Sequence, residues 1–428
     1  MLKYGYNKEQ YKKFSAHAWR YLILFSLLYC AHYCTRLNLG NAQVKMTEFS
    51  SEQIGIITST LFWSYALGHL INGRLGEIIG VRKFIILSVI LSIAANVVMG
   101  FQTTLLGMTI AWGFNGFFQS MAWSPGVSSL NQWWPGDRRG FAVGFANAFS
   151  GFGQVAATLM VALAFALLPN GGWRPAFFIP AILPLVVVLA YMIFAKSGPK
   201  DIGLEPYEEP DKEMAEKDAE TARIAKEKGA LYPYLFLLKK PVFLICMLIV
   251  FGNGIARYGL VTWIPKYLKE EAGLGTIVSL LTSTILPIGM GIGTLIVPTL
   301  TDKFCPNNRL LSGIVSGVCA TLCVLGFFLL EPVGIQLVLM MVLLFFAGFF
   351  IYATSGVVWV ISADIGGRAF AGTASGILDC AAYMGAAVQA YIYGFLLTKG
   401  SWSVVFLSIA GISAMVSLLS YLTTKMKK

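Results

Sequence analysis

The chain has 428 residues, of which 57% are hydrophobic and only 12% charged, with a mean hydropathy of +0.70 and a formal net charge of +11. Soluble domains carry about twice that share of charge, and the basic excess sits in loops beside apolar runs, which argues against nucleic acid as its partner. Unbroken stretches of about 20 apolar residues recur along the whole length, each long enough to cross a ~30 Å hydrocarbon core as a helix; continuous runs in place of alternation exclude a β-barrel.

The N-terminal stretch MLKYGYNKEQYKKFSAHAWR is polar and the first apolar run is of spanning length, so no cleavable leader is expected. Twelve spans are predicted, at roughly 21–41, 54–73, 83–101, 105–130, 141–168, 175–195, 241–267, 276–301, 309–330, 335–362, 370–397 and 401–424. The one long polar stretch, 196–240, lies between the sixth and seventh. The expected fold class is an all-α polytopic membrane protein of two six-helix pseudo-symmetric bundles, 1–195 and 241–428, joined by a cytoplasmic linker, 196–240. With both termini and the linker on one side, that side holds 25 of the 32 Lys and Arg residues and the opposite loops five. The excess of basic residues marks the cytoplasmic side, so both termini are expected there, in a multi-pass cell-membrane protein.

Two cations fall inside predicted spans. Arg36 lies in the first span and Arg257 in the seventh, matching places in the two halves. A charge within a span costs at least ~2.5–3.5 kcal/mol, which makes such a residue a functional-site candidate. Two of one sign suggest a single anion held between them, since guanidinium is planar, always charged and able to grip oxyanions bidentately. Asp379, in span 11, is the only clear mid-span carboxylate that could pair with either.

The seven cysteines form no disulfide framework, and the i,i+4 pairs Cys30/Cys34 and Cys319/Cys323 read as small-residue packing rather than metal ligands. No Gly-rich phosphate loop ending in GK[ST], catalytic triad or metal-ligand spacing is present. Neither an enzyme nor a cofactor-binding protein is therefore expected.

After the second span the chain reads Gly73-Arg74-Leu75-Gly76-Glu77-Ile78-Ile79-Gly80-Val81-Arg82-Lys83. This resembles the major facilitator superfamily signature G-x-L-x-D-x-x-G-R-[RK], with Glu for Asp. The corresponding place in the second half holds Asp302-Lys303 and Arg309. Glycines there permit a tight turn and close helix approach, and the acid can pair with basic residues at a helix end. Gly73, Glu77, Gly80, Arg82, Asp302 and Arg139 are accordingly the expected cytoplasmic gate.

A narrower resemblance covers essentially the whole chain. Tyr33-x-x-Arg36-x-Asn38 in span 1 is similar to Y-x-x-R-x-N of the organophosphate:phosphate antiporter family. So is Asn115-Gly116-x-x-Gln119-x-x-Ala122-Trp123-Ser124-Pro125, followed by Trp133-Trp134 and Arg139-Gly140, to its N-G-x-x-Q-x-x-G-W-P-P…W…R-G. Arg257-Tyr258-Gly259-x-x-x-Trp263-x-Pro265-x-Tyr267-Leu268 in span 7 is close to R-Y-G-x-x-x-W-x-P-x-Y-L, and this string is specific. Gly198-Pro199-Lys200-Asp201-Ile202-Gly203-Leu204 with Glu208-Glu209 resembles P-x-D/S-x-G-L-P…E-E. The resemblance implies a monomeric rocker-switch antiporter of the bacterial inner membrane, exchanging an organic phosphate for inorganic phosphate between Arg36 and Arg257. It also places Tyr29, Tyr33, Tyr65, Trp123, Tyr352 and Tyr383 in pore-lining spans.

The chain departs from the family pattern where the substrate would be named. His69 stands where glycerol-phosphate and hexose-phosphate members carry Lys, and Ser150, after Asn147, stands where they carry His. Gly126 replaces the second proline of W-P-P. His69 has two readings, an interhelical hydrogen bond or a substrate ligand that titrates. His32, one turn before Arg36, either lines the pocket or packs beside a neighbouring helix. Asp379 is a proton site, a ligand for sugar hydroxyls, a partner of His69 or a structural hydrogen bond. Two other functions fit the same features: a proton-coupled symporter of a sugar acid or sulfonate, and a membrane sensor of a phosphorylated ligand.

Overall fold

The computed structural model describes residues 4–426 except 209–215, 217–219, 221–222, 225–226, 230 and 305–309; at 73–74, 77, 136–137, 298–299, 302, 304, 310, 355–369, 371–372 and 426 the description covers the backbone only. The described residues contain no β-strand. The first half comprises α1 (Lys8–His32), α2 (Asn38–Ala42), α3 (Ser51–Ile79), α4 (Val81–Phe101), α5 (Leu105–Gln119), α6 (Trp123–Trp133), α7 (Gly136–Leu167), α8 (Pro175–Phe178) and α9 (Ile182–Phe194). After a short helix α10 (Tyr232–Leu238) come α11 (Pro241–Glu270), α12 (Thr276–Ser283), α13 (Ile285–Phe304), α14 (Leu310–Leu329), α15 (Gly334–Thr398) and α16 (Trp402–Met426).

Among the described residues, ten helical segments are long and apolar enough to cross a membrane, and the bent pair of α1 and α2 adds an eleventh. The remaining predicted span, the fourth, is interrupted: α5 and α6 have 15 and 11 residues and break at 120–122. The break packs on α3, where Asn72 donates to the Ser120 hydroxyl at 2.6 Å. The first helix starts at Lys8, well ahead of the apolar run. A capping box explains this: the Asn7 side chain accepts from the Gln10 backbone while the Gln10 side chain accepts from the Asn7 amide. The loop expected between spans 10 and 11 is instead continuous helix, α15 running for 65 residues.

At the end carrying the Lys45, Lys269 and Lys399 loops the halves are tied together: Lys266 donates to the Ser51 hydroxyl at 2.5 Å, the Glu52 amide to the Thr398 hydroxyl at 2.9 Å, and Ser59 to the Ala387 carbonyl at 2.8 Å. Lys269 and Gln43 reach the Val44 and Thr262 carbonyls in the same region. Gly151 on α7 faces Gly291 on α13 closely enough that an added Cβ would lie 2.9 Å from the Gly291 Cα. Gly144, seven residues earlier on the same face, meets nothing within 4 Å, nor does Gly376, seven residues before Tyr383.

Candidate functional site

Span 1 breaks where its charge sits. Helix α1 ends at His32, a 3-10 turn covers Tyr33–Thr35, and Arg36 is the residue after that turn. A broken span leaves backbone carbonyls without helical partners, and in the membrane these need donors. Asn96 and Asn115 both donate to the Thr35 carbonyl, at 2.8 and 2.7 Å, and Gln119 donates to the His32 carbonyl at 3.1 Å. The polar residues of α4 and α5 thus satisfy the break. Arg36 in turn lies at the C-terminal end of α1, where the helix dipole favours a cation.

Among the described residues neither arginine has a carboxylate partner. The ion pairs among the described residues do not include Arg36, Arg257 or Asp379. Tyrosines surround both guanidinium groups. The Arg36 guanidinium carbon is 3.8 Å from the Tyr33 ring centre and 5.1 Å from that of Tyr65, and Arg36 donates to the Tyr383 hydroxyl at 3.3 Å. That of Arg257 is 4.0 Å from the Tyr352 ring and 4.8 Å from the Tyr258 ring. Such contacts offset part of the desolvation cost of a cation, about 2 kcal/mol where water is excluded. Arg36 is almost fully buried and Arg257 half-buried. Buried Nε of Arg36 and buried Nε and one Nη of Arg257 make no hydrogen bond, and neither do the Nε2 atoms of His32 and His69.

The predicted residues fall largely into one cluster. Tyr65 and Tyr383 are 4.1 Å apart between ring centres, and His69 lies 4.7 Å from Tyr65, its Nδ1 3.5 Å from the Ser124 hydroxyl. Tyr29 packs on Trp123 at 4.6 Å and on Tyr33 at 5.4 Å. Tyr352 and Ser150 share a 2.9 Å hydrogen bond across the two halves. Asp379 is half-buried on α15, one turn before Tyr383, within charge range of Arg257 and Arg36. His32 is buried and its ring has no partner at Nε2. Asn147 is half-buried and, among the described residues, makes no side-chain hydrogen bond. Tyr258, absent from the candidates, belongs to the cluster: its hydroxyl donates to that of Tyr383 at 3.2 Å and its ring lies 4.7 Å from Phe62. The signal was present in the Arg257-Tyr258 pair, but adjacent residues on a helix face different ways, which hid it.

Of the gate candidates, Gly80 has φ +96°, joins α3 directly to α4 and leaves space around it. Arg82 donates to the Met192 carbonyl, and Arg139 donates to the Tyr207 hydroxyl at 3.1 Å. The side chains of Gly73, Glu77 and Asp302, and all of Arg309, lie outside the described residues.

Ten or eleven membrane-crossing segments with two arginines inside them that no carboxylate pairs among the described residues fit a multi-pass membrane transporter rather than an enzyme. The chain belongs to the Major Facilitator Superfamily, whose family model matches residues 21–388. It is 26% identical over 434 residues to the "Probable hexose phosphate transport protein" of Chlamydia trachomatis, covering 97% of this chain and 92% of that one. It is likewise 26% identical over 385 residues to the "Glycerol-3-phosphate transporter" of Bacillus subtilis, covering 88% and 85%. Among solved structures, a D-xylose-proton symporter superposes with a TM-score of 0.70 at 15% identity, covering 95% of this chain and 97% of that one.

Proposed function

We propose that this protein exchanges an organic phosphate for inorganic phosphate by alternating access, with the anion held between Arg36 and Arg257. The observation that carries the reading is that, among the described residues, no carboxylate pairs with either guanidinium group, while the buried Nε of Arg36 and the buried Nε and one Nη of Arg257 make no hydrogen bond. Orphaned buried donors are costly, ~1–3 kcal/mol each and more when charged; an oxyanion arriving between them supplies the acceptors. Two relatives named for hexose phosphate and glycerol-3-phosphate support phosphate as that oxyanion.

Coupling follows from charge. Without an anion the two cations repel across a low-dielectric cleft, which favours the water-filled open state. A bound phosphate offsets that positive charge and lets the halves close, so the empty carrier returns poorly and exchange dominates. In this reading 1–195 and 241–428 are the rocking bundles and 196–240 is the cytoplasmic linker. Both termini face the cytoplasm, and the lysine-tied end is the extracellular gate. Gly73, Glu77, Gly80, Arg82, Arg139 and Asp302 form the cytoplasmic gate. Tyr29, Tyr33, Tyr65, His69, Trp123, Tyr352 and Tyr383 line the substrate chamber. His32 borders it, and Asn147 reaches it as the bundles rock. The carrier works as a monomer in the bacterial inner membrane.

Proteoliposomes loaded with phosphate test this. Labelled phosphate or glycerol 3-phosphate added outside should enter only when phosphate is inside, and Arg36→Ala and Arg257→Ala should each abolish entry. Uptake that needs no internal phosphate and collapses with a protonophore would establish proton symport instead.

A further inference from the structure

Asp379 is a polar group beside the two arginines that an anion-binding role does not use. It sits on α15 one helical turn before Tyr383, so the two side chains share a face. Tyr383 on that face accepts from Arg36, which points the face toward that arginine. Asp379 is half-buried, with no hydrogen bond or ion pair among the described residues. It lies within charge range of both arginines and of Tyr65, yet is salt-bridged to neither guanidinium. A carboxylate held this way repels the very anion the arginines attract, unless something on the substrate answers it.

Charge balance says what that something is. Two guanidinium groups and one carboxylate leave the chamber at one positive charge. A phosphomonoester dianion overshoots and leaves a net negative charge, which is poorly tolerated where water is excluded. A single cationic group on the same substrate restores neutrality. The surroundings of Asp379 suit such a group. The rings of Tyr65 and Tyr383 are 4.1 Å apart, with Phe62 6.1 Å from Tyr383 and His69 5.8 Å from it, a cluster of aromatic faces beside a carboxylate. Aromatic faces with a carboxylate form a common receptor for ammonium groups.

We propose that the organic part of the substrate carries an ammonium group received by Asp379 beside Tyr65 and Tyr383, so that the carrier takes aminoalkyl or trimethylammonioalkyl phosphomonoesters. This inference rests on the reading of Arg36 and Arg257 as the phosphate site. The arginines hold one end of a zwitterion and Asp379 the other, and the length between the two charges becomes the specificity ruler. Plain alcohol phosphates enter the same site without the second contact.

Competition in phosphate-loaded proteoliposomes tests it. Phosphoethanolamine and phosphocholine, measured against glycerol 3-phosphate as inhibitors of labelled phosphate exchange, should inhibit at least tenfold more strongly. Asp379→Asn should bring the three compounds to within about twofold while phosphate exchange itself persists. Phosphate exchange with no preference for the amines overturns this inference and leaves the phosphate site standing. A preference that survives Asp379→Asn also overturns it, because the ammonium would then be bound elsewhere. Loss of all phosphate exchange in the wild type overturns the phosphate reading itself, and this inference with it. If Asp379→Asn does not reach the membrane, the wild-type competition ratio decides alone.

Discussion

Helices α11 and α15 cross beside the site, and glycine makes the crossing possible. A Cβ placed on Gly254 would lie 2.0 Å from the Ala382 carbonyl oxygen, and one on Gly385 would lie 2.1 Å from the Phe251 carbonyl oxygen. Both obstacles are backbone atoms, which cannot rotate away as a side chain can. Gly254→Ala therefore forces the helices apart. Moving from 2.0 Å to the 3.4 Å of ordinary contact is a displacement of about 1.4 Å. Gly254 is three residues from Arg257 and Ala382 is adjacent to Tyr383, so the shift falls directly on the chamber. The Arg36–Tyr383 hydrogen bond, 3.3 Å long, does not survive a movement of that size. A misplacement of ~1 Å at a reacting or binding centre costs on the order of 100-fold in rate, and overpacking adds about 1–3 kcal/mol of destabilisation. The predicted outcome is a variant that inserts and purifies at reduced yield and exchanges phosphate ~100-fold more slowly. Gly411→Ala is the control, because that position is exposed on α16 with nothing within 4 Å, and it should behave as wild type. Exchange by Gly254→Ala within about twofold of wild type at equal protein level refutes the close crossing.

Two further predictions concern the arginines and the turn at Gly80. Arg36→Lys and Arg257→Lys keep the charge and lose the bidentate fork, an interaction of about 1.5–3 kcal/mol, so each should slow exchange by roughly tenfold or more; a lysine variant that exchanges at the wild-type rate would show that charge alone suffices. Gly80→Ala meets no atom within 4 Å, so its cost is purely conformational, ~1–3 kcal/mol for a Cβ at φ +96°. Its thermal denaturation temperature in detergent should fall by several degrees, and an unchanged value contradicts the observed turn.

The sequence revealed the membrane class and the arginine pair because both are one-dimensional signals: a run of apolar residues of spanning length, and a charge inside it. Reading span 4 as one helix passes over its break between α5 and α6, which Pro125 marks, since proline has no N–H to offer the Met121 carbonyl. What stabilises that break is Asn72 on α3, a long-range partner that no local pattern announces. The 65-residue α15 escaped for the opposite reason. Its middle contains charged residues that read as a loop, yet the backbone stays helical through them. Within the site, aromatics i and i+4 from an arginine or histidine were legible as one face, as with Tyr65 and His69. Tyr258 was not, because its place depends on how α11 rotates against α3 and α15. Asn147 illustrates the converse: its neighbour Ser150 joins the cluster through Tyr352, while Asn147 makes no side-chain hydrogen bond among the described residues.

Tyr383 provides the sharpest test of how the chamber grips its anion. Its hydroxyl oxygen accepts twice, from Arg36 at 3.3 Å and from Tyr258 at 3.2 Å. A phenol oxygen with both acceptor positions engaged still carries its own proton. Among the described residues no hydrogen bond uses that proton. The hydroxyl lies at the meeting point of the two halves, held by one cation and one neutral donor, and its remaining proton is available to a phosphate oxygen. Hydrogen bonds to charged groups contribute ~1.5–3 kcal/mol. Tyr383→Phe keeps the ring packing against Tyr65 and Phe62 and deletes only the hydroxyl, so phosphate affinity should fall by roughly 10- to 100-fold with the protein folded and inserted. If the hydroxyl instead competes with phosphate for Arg36, deleting it releases a donor and affinity rises. Titration calorimetry of purified wild type and Tyr383→Phe with inorganic phosphate separates these by sign, and tighter binding by the variant would refute the donor role.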